Sequence, residues 1–143
     1  MAAFKTYAEP LPLPDLVVSQ VRVNDGATDN QIVAGATMTV GYTVTNRGSG
    51  ATLVKGWTET VWLTKDKDRP HPGLGDILLA SYAYTRPDVL ARNAGYDQTV
   101  TVTVPAGIEA GIWYVTPWVD PYDAALEDTL ASNTNPDDPN QLD

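Results

Sequence analysis

The chain has 143 residues, of which 43% are hydrophobic and 19% charged, and its formal net charge is −9. This composition fits one globular domain and is too apolar for a disordered chain. The acidic excess disfavours nucleic acid and anionic membranes as partners, because both require clustered Lys and Arg. No apolar run approaches the roughly 20 residues that cross a bilayer, so no membrane insertion is expected. The absence of cysteine excludes disulfides, thiolate metal ligands and a cysteine nucleophile.

The first predicted elements are an N-terminal linker over residues 1–13 and a strand over Leu16–Val23. Pro and Leu alternate in Glu9–Pro14, as in an extended linker. The strand changes its apolar parity near Ser19 and Gln20. This change predicts a β-bulge, or a switch between sheets, at that point.

Two further segments alternate with period two. In Thr37–Asn46 and in Gln98–Val104, apolar residues alternate with threonine or glycine. Successive side chains of a strand point to opposite faces, so each segment has one apolar face and one hydroxyl-rich face. The β-branched side chains of Val and Thr also favour strands. Both segments are therefore predicted to be strands.

Three more strands are predicted at Trp57–Thr64, Ile77–Tyr84 and Gly111–Asp120. In the first of these, Trp57 and Val61 share one parity, and Trp62 has the other. Pro117 interrupts the last strand and predicts an edge or bulge position, because proline cannot donate to a ladder. Clusters of Gly, Pro, Asn and Asp separate the runs. About seven short strands with such turns predict an all-β antiparallel sandwich.

The order of the motifs along the chain resembles the CARDB family, the cell-adhesion-related domain of bacterial surface and secreted proteins. The resemblance rests on Pro14–Val18, Ala34–Val40, Tyr42–Gly48, Val61–Asp66, Asp76–Leu79, Val104–Gly107, Gly111–Tyr114 and Val119-Asp120. It covers about residues 14–130, and an acidic Pro/Asn-rich segment, 131–143, follows. The acidic stretch from Glu127 to Asp138 is similar to versions found in large, repeat-rich bacterial adhesins.

This resemblance implies an immunoglobulin-like sandwich at the bacterial cell surface or in the extracellular space. It implies a non-catalytic spacer in a large adhesin, with neighbouring domains of the same long chain as partners. The family pattern continues into a last strand, whereas this sequence stops at Asp143. We expect that strand to lie in following residues or to be replaced by residues near the start. An unfilled edge would pair with another chain.

Acidic residues form candidate calcium sites, because Ca²⁺ prefers several carboxylate and carbonyl oxygens. The leading candidate comprises Asp120, Asp123, Glu127 and Asp128. Two further clusters are Asp66, Asp68 and Asp76, and Asp137, Asp138 and Asp143. None matches a known calcium loop or repeat. Solvated turns, in which Asp side chains bind local backbone amides, are the alternative explanation.

Aromatic residues suggest a second function, the binding of a surface polysaccharide. Trp57 and Trp113 occupy family-like positions that predict burial, whereas Trp62 and Trp118 have the opposite parities and are the candidate glycan ligands. A glycan platform requires both indoles to be exposed and coplanar on one face. Core packing of the aromatic residues is the alternative explanation.

Catalytic residues are not expected. His71 is the one histidine and lies between two prolines in a predicted loop, without a nucleophile and an orienting acid beside it. Paired carboxylates can hydrolyse glycosides, and Glu59 and Glu127 are the glutamates near aromatic residues. Any acidic chain offers such pairs, so the sequence predicts that the protein is not an enzyme.

Overall fold

The computed structural model describes residues 12–24, 32–66 and 70–121, and six strands lie in them. They are β1 (Leu16–Val23), β2 (Thr37–Asn46), β3 (Gly56–Thr64), β4 (Ile77–Thr85), β5 (Gly95–Thr103) and β6 (Tyr114–Val119). A short 3-10 helix, Pro72–Leu74, precedes β4. Within these ranges, no helix is long and apolar enough to cross a membrane.

The strands form two antiparallel sheets, in the orders β1-β2-β5 and β4-β3-β6. The sheets pack face to face, with β1 against β6 and β4 against β5. This arrangement confirms the predicted all-β sandwich. The buried hydrophobic core comprises Leu16, Val18, Met38, Val40, Tyr42, Val44, Trp57, Val61, Leu63, Leu90, Val102, Val104 and Val119.

The period-two alternation places the side chains as the sequence predicts. Along β2, Val40, Tyr42 and Val44 are buried, while Thr39, Thr43 and Thr45 have the opposite parity, face outward and are half-buried. The structure places the start of β5 at Gly95, three residues before the predicted start at Gln98. Gly95 pairs with Thr45, so the ladder with β2 extends nearly to the end of both strands.

A bulge in β1 confirms the predicted irregularity near Ser19. The pairing with β2 shifts between Ser19 and Arg22, and Gln20 has a φ of 53°. Beyond the bulge, Arg22 lies opposite Gly41. A Cβ atom at Gly41 would lie 3.1 Å from a terminal guanidinium nitrogen of Arg22, so glycine leaves room for that side chain.

Pro117 is accommodated within β6. It pairs with Val61 and is buried, and β6 is the outermost strand of its sheet among the described residues. A proline at the border of a sheet removes no ladder hydrogen bond when its nitrogen points away from the neighbouring strand.

Asn46 organises one end of the sandwich, which we call the entry end; it contains residues 12–15, 47–55 and 86–94. The buried Asn46 amide nitrogen donates to the carbonyls of Gly50 (2.9 Å) and Leu90 (3.1 Å). Its oxygen accepts from the backbone N–H groups of Asp15 and Gly48, both at 3.0 Å. One side chain thus joins all three segments of this end.

Candidate functional site

A carboxylate lies in the centre of the sandwich. Glu59 is on β3, the middle strand of its sheet, and shares the inward parity of Trp57, Val61 and Leu63. Its side chain is fully buried between the sheets. Because an isolated buried charge is strongly unfavourable, this position requires a dense set of hydrogen-bond donors.

Three donors from three strands converge on the Oε1 atom of Glu59. The Tyr42 hydroxyl on β2 donates at 2.5 Å, the Tyr82 hydroxyl on β4 at 3.1 Å and the Gln98 side-chain amide on β5 at 3.3 Å. The hydroxyls of Tyr42 and Tyr82 also lie 2.5 Å from each other. Tyr42 and Gln98 belong to the sheet opposite Glu59, so these bonds cross the sandwich interface.

Two further donors bind the Oε2 atom of Glu59. The indole N–H of Trp57, two residues earlier on β3, lies 3.2 Å away, and the hydroxyl of Tyr96 on β5 donates to the same oxygen. Trp57 also donates to the Tyr96 oxygen at 3.0 Å. We refer to Glu59 and its donors Tyr42, Trp57, Tyr82, Tyr96 and Gln98 as the Glu59 network.

The Glu59 network has the chemistry of an ionised carboxylate acting only as an acceptor. Two carboxylate oxygens offer about four lone-pair sites, and five donor groups face them. Trp57 shares its N–H between Glu59 and Tyr96, and the hydroxyls of Tyr42 and Tyr82 share their two protons among each other and Glu59. Hydrogen bonds to a charged acceptor are stronger than those between neutral groups. The arrangement therefore ties the two sheets together through one buried anion and leaves its acceptor sites occupied.

The tyrosines of the network stay neutral far into the alkaline range. Burial, followed by the Glu59 charge, raises the pKa of Tyr42 and of Tyr96 well above 10. Burial is also the main cause that raises the pKa of Tyr82, although the hydrogen bond with Tyr42 opposes it. Neutral hydroxyls keep their protons, and each can therefore donate to the network.

Aromatic rings close the side of the sandwich between β4 and β5. Tyr84 stacks on Trp57 with a centroid distance of 5.7 Å and an interplanar angle of 4°, and its centroid lies 4.3 Å from that of Tyr96. The Arg86 guanidinium carbon lies 5.3 Å from the Tyr96 centroid, and its Nη1 donates to the Tyr84 hydroxyl at 2.9 Å. These rings cover the Glu59 network on this side, which limits access to its carboxylate.

Trp62 and Trp118 lie on the same side of the β4-β3-β6 sheet. Thr60 pairs with Trp118, and Trp62 pairs with Thr116, so both indoles lie on the outward side of the β4-β3-β6 sheet. Both are half-buried. We call this side the outer aromatic face; its strand residues are Thr58, Thr60, Trp62, Thr64, Leu78, Ser81, Ala83, Thr85, Tyr114, Thr116 and Trp118.

The other two tryptophans lie elsewhere. Trp57 is 4% exposed in the core, as predicted. Trp113 is half-buried, where burial was predicted: it packs against the core, and its indole N–H donates to the Glu109 carbonyl at 3.0 Å. The ammonium of Lys65 lies 5.4 Å from the Trp113 ring and 3.4 Å from the Glu109 carboxylate. These contacts hold Trp113 at the end opposite the entry end.

Of the leading calcium cluster, the structure describes Asp120. This residue is 3% exposed, has a φ of 55°, and its backbone N–H donates to the Thr58 carbonyl at 2.7 Å. Asp123, Glu127 and Asp128 lie outside the described residues, as do Asp68 and the cluster of Asp137, Asp138 and Asp143. Within residues 12–24, 32–66 and 70–121, no three His, Cys, Asp or Glu side chains are placed to hold one metal ion.

Asp76 and His71 stabilise a loop. The Asp76 carboxylate accepts from the backbone N–H groups of Lys65 (3.0 Å) and His71 (2.7 Å), as in the alternative explanation for the acidic clusters. His71 is exposed, and its carbonyl accepts from the N–H of Leu74. The second member of the proposed hydrolytic pair, Glu127, lies outside the described residues.

Comparisons with known proteins give one informative match. No family model and no curated protein matches the chain. The CARDB domain of the PF1109 protein from Pyrococcus furiosus, solved in complex with di-metal ions, is similar with a TM-score of 0.52 and 16% identity, covering 90% of each chain. The chain has a CARDB-like fold.

A second solved structure is similar only in part. β-Glucosidase 3B from Thermotoga neapolitana, in complexes with glucose and with α-D-glucose, gives a TM-score of 0.46 and 19% identity, over 73% of this chain and 14% of the enzyme. This match carries no argument about function. The match to the CARDB domain and the strand order of the two sheets support the immunoglobulin-like arrangement that the resemblance implies.

Within the CARDB-like fold, the Glu59 network was not predicted from the sequence. The sequence predicts strands that contain Tyr42, Tyr82 and Gln98, but it assigns no common role to these residues, and Tyr96 lies outside the predicted strands. The available signal was the parity of β3, which places Glu59 on the same side as Trp57 and Val61. A charged residue on the inward side of a central strand indicates a buried polar network.

Proposed function

We propose that the protein is a non-catalytic structural module of a large extracellular bacterial adhesin, in which it holds neighbouring domains away from the cell. The CARDB-like fold supports a domain of the adhesion-related type. The Glu59 network is the observation that carries the proposal. The Glu59 carboxylate is buried and its oxygens accept hydrogen bonds from the surrounding donors, so it stabilises the packing of the two sheets.

The network suits a module that bears load. Its donors come from β2, β4 and β5 as well as from β3 itself, so sliding one sheet over the other breaks several hydrogen bonds to one charge at the same time. Each of those bonds is charge-assisted, and buried groups that lose their partners are costly. A spacer domain that transmits force requires this resistance to sliding of the sheets.

The path of the chain matters for a spacer. β1 begins at the entry end, and the hydrogen bond from Asp120 to Thr58 brings the end of β6 toward the same end. A domain in line between two others must release its chain at the opposite end. The proposal therefore includes a further strand that carries the chain to that end.

Force spectroscopy on a polyprotein of several copies of the full chain tests the mechanical role. We expect one unfolding peak per copy, at a lower force for Glu59→Gln than for the wild type. Glu109→Gln is the matched control, since this glutamate is exposed, and its peaks should match the wild type. Equal unfolding forces for wild type and Glu59→Gln would contradict the load-bearing role.

Antibodies against the chain test the proposed location. Intact cells of the source organism should be labelled, and external protease should remove the label. Labelling that requires permeabilised cells would contradict an extracellular module. Neighbouring domains of the same chain are the proposed partners, and pairing of an open strand edge with a second chain is a further proposed contact.

Lack of catalysis is tested separately. The purified chain should not hydrolyse chromogenic glycosides or esters faster than Glu59→Gln does. Turnover that is lost in this variant would identify Glu59 as catalytic and overturn the proposal.

Calcium is proposed as an accessory ligand near Asp120, together with Asp123, Glu127 and Asp128. The similar CARDB domain was solved with di-metal ions, which supports a metal role in this fold. A bound Ca²⁺ would stiffen the exit of the chain after β6, since it would hold several carboxylates together.

A further inference from the structure

The strand residues of the outer aromatic face carry no charge, in the part of the chain that the structure describes. Its strand residues are threonine, serine, alanine, leucine and aromatic residues, in a chain with 18 acidic and 9 basic side chains. The outward side of the other sheet has a different character. It presents Arg22 from β1 and Asp97 from β5, the latter bound by the Thr43 hydroxyl at 2.6 Å. A ligand that binds the outer aromatic face therefore needs no charge of its own.

Trp62 is fixed flat on this face. Its indole N–H donates at 3.0 Å to the Thr60 hydroxyl, which lies two residues back on the same side of β3. Residues i and i+2 of a strand are about 6.6 Å apart, so the indole must lie along the sheet to reach that hydroxyl. The Thr60 hydroxyl in turn donates to the Trp118 carbonyl at 2.7 Å. This bond between β3 and β6 holds the Thr60 oxygen in place as the acceptor of the Trp62 indole N–H.

A flat, immobilised indole suits the face of a sugar ring. The π-face of an aromatic ring is electronegative and attracts the polarised C–H groups that line one side of a pyranose. Leu78, opposite Trp62 on β4, is 47% exposed and extends the apolar floor. Ser81 is exposed beside it on β4 and offers a hydroxyl to the polar rim of a sugar.

We propose that the outer aromatic face binds a neutral polysaccharide, with Trp62 as the central stacking residue. Trp118 lies on the diagonal from Trp62, and such diagonal neighbours are roughly 7–8 Å apart, so one oligosaccharide can contact both. The absence of charge selects against anionic polymers, which the net charge of −9 also repels. This proposal goes beyond the spacer function and does not depend on it.

Affinity electrophoresis of the full chain tests this proposal, with gels that contain soluble β-glucan, galactomannan, xylan or α-mannan, and with anionic alginate for comparison. At least one neutral polymer should retard the wild type, and alginate should not. Retardation by none of the neutral polymers would overturn the proposal. A dimer in solution that Trp62→Ala converts to a monomer would also overturn it, since a second copy would then occupy the face.

Variants locate the binding surface. Trp62→Ala should weaken binding at least about tenfold. Thr60→Val keeps the shape but removes the hydroxyl that fixes the indole, so it should weaken binding less than Trp62→Ala does. Thr101→Ala, on the outward side of the other sheet, should bind like the wild type, and the melting temperature of each variant verifies its fold. Unchanged retardation of folded Trp62→Ala would contradict the proposal.

Discussion

The hydroxyl of Tyr42 on β2 donates a 2.5 Å hydrogen bond to the carboxylate of Glu59 on β3, across the interface between the two sheets. Both residues lie on the middle strand of their sheet. This bond links the centres of the two layers directly, and the other donors of the Glu59 network surround it. The stability of the sandwich should therefore depend on it more than on any surface contact.

The coupling between these two residues is measurable by a double-mutant cycle. Tyr42→Phe should lower the free energy of unfolding by about 1.5–3 kcal/mol, because a charged acceptor loses a donor. In the Glu59→Gln background the same substitution should cost less, with an interaction energy above about 1 kcal/mol. Urea denaturation with an unchanged m-value measures each term. Tyr42→Phe combined with Glu109→Gln is the control and should be additive; additivity with Glu59→Gln as well would contradict direct coupling.

Stability should fall in strongly alkaline solution. The folded pKa values of Tyr42, Tyr82 and Tyr96 are raised above the value of 10 that tyrosine has when exposed. Their contribution is therefore complete below pH 10 and is lost as the pH rises further, because only the unfolded chain releases these protons. Each tyrosine contributes a slope of about 1.4 kcal/mol per pH unit, and the three together about 4.

Denaturation series between pH 8 and pH 11.5 measure this slope. Tyr82→Phe should reduce it by about one third, because one of the three protons is removed. Phenolate absorbance from these three tyrosines should appear only with the loss of native circular dichroism. Their ionisation within a folded protein would contradict the buried network.

Asn46 should be the most sensitive polar residue of the entry end. Asn46→Ala removes the partner of the Gly50 carbonyl and of the Asp15 and Gly48 N–H groups. It also takes one of two donors from the Leu90 carbonyl, which still accepts from Thr52, and should cost about 3 kcal/mol of unfolding free energy. Ser49→Ala, at an exposed position in the same turn, should change stability by less than about 0.5 kcal/mol. Equal effects of the two substitutions, measured by chemical denaturation, would show that Asn46 does not join the three segments.

Calcium should stabilise the folded chain if the proposed site near Asp120 binds it. Saturating millimolar Ca²⁺ should raise the melting temperature, and chelation should reverse the rise. Asp123→Asn combined with Asp128→Asn should abolish the shift, whereas Asp97→Asn on β5 should retain it. An unchanged melting temperature at millimolar Ca²⁺ excludes the site.

The sequence was sufficient to predict the sandwich but not its core network. The bounds of β2 agree with the prediction because its alternation is uninterrupted, and burial on one side enforces that period. The start of β5 was placed too late because Gly95 and Asp97 are poor strand formers and Tyr96, like Gln98 after it, carries a polar group on the inward side. The presence of Tyr96 and Gln98 on the inward side makes sense only once Glu59 lies opposite them.

The donors of Glu59 were unpredictable for a related reason. They come from four different strands and are separated from Glu59 by up to 39 residues, apart from the nearby Trp57. Only the pairing register brings them together. By contrast, strand parity predicts that Trp62 and Trp118 both point away from the inward residues of their strands. Only the pairing of β3 with β6 shows that they share one side of one sheet.

A buried, hydrogen-bonded carboxylate holds the two sheets together. The unfolding free energy of Glu59→Gln tests this role most directly. The substitution keeps the shape but turns an amide N–H₂ toward groups that donate, so it should cost about 3 kcal/mol. Glu109→Gln should cost less than about 1 kcal/mol, since the ion pair that it removes, with Lys65, is exposed to solvent. Equal stability of Glu59→Gln and the wild type, by urea denaturation at pH 7, would contradict the account.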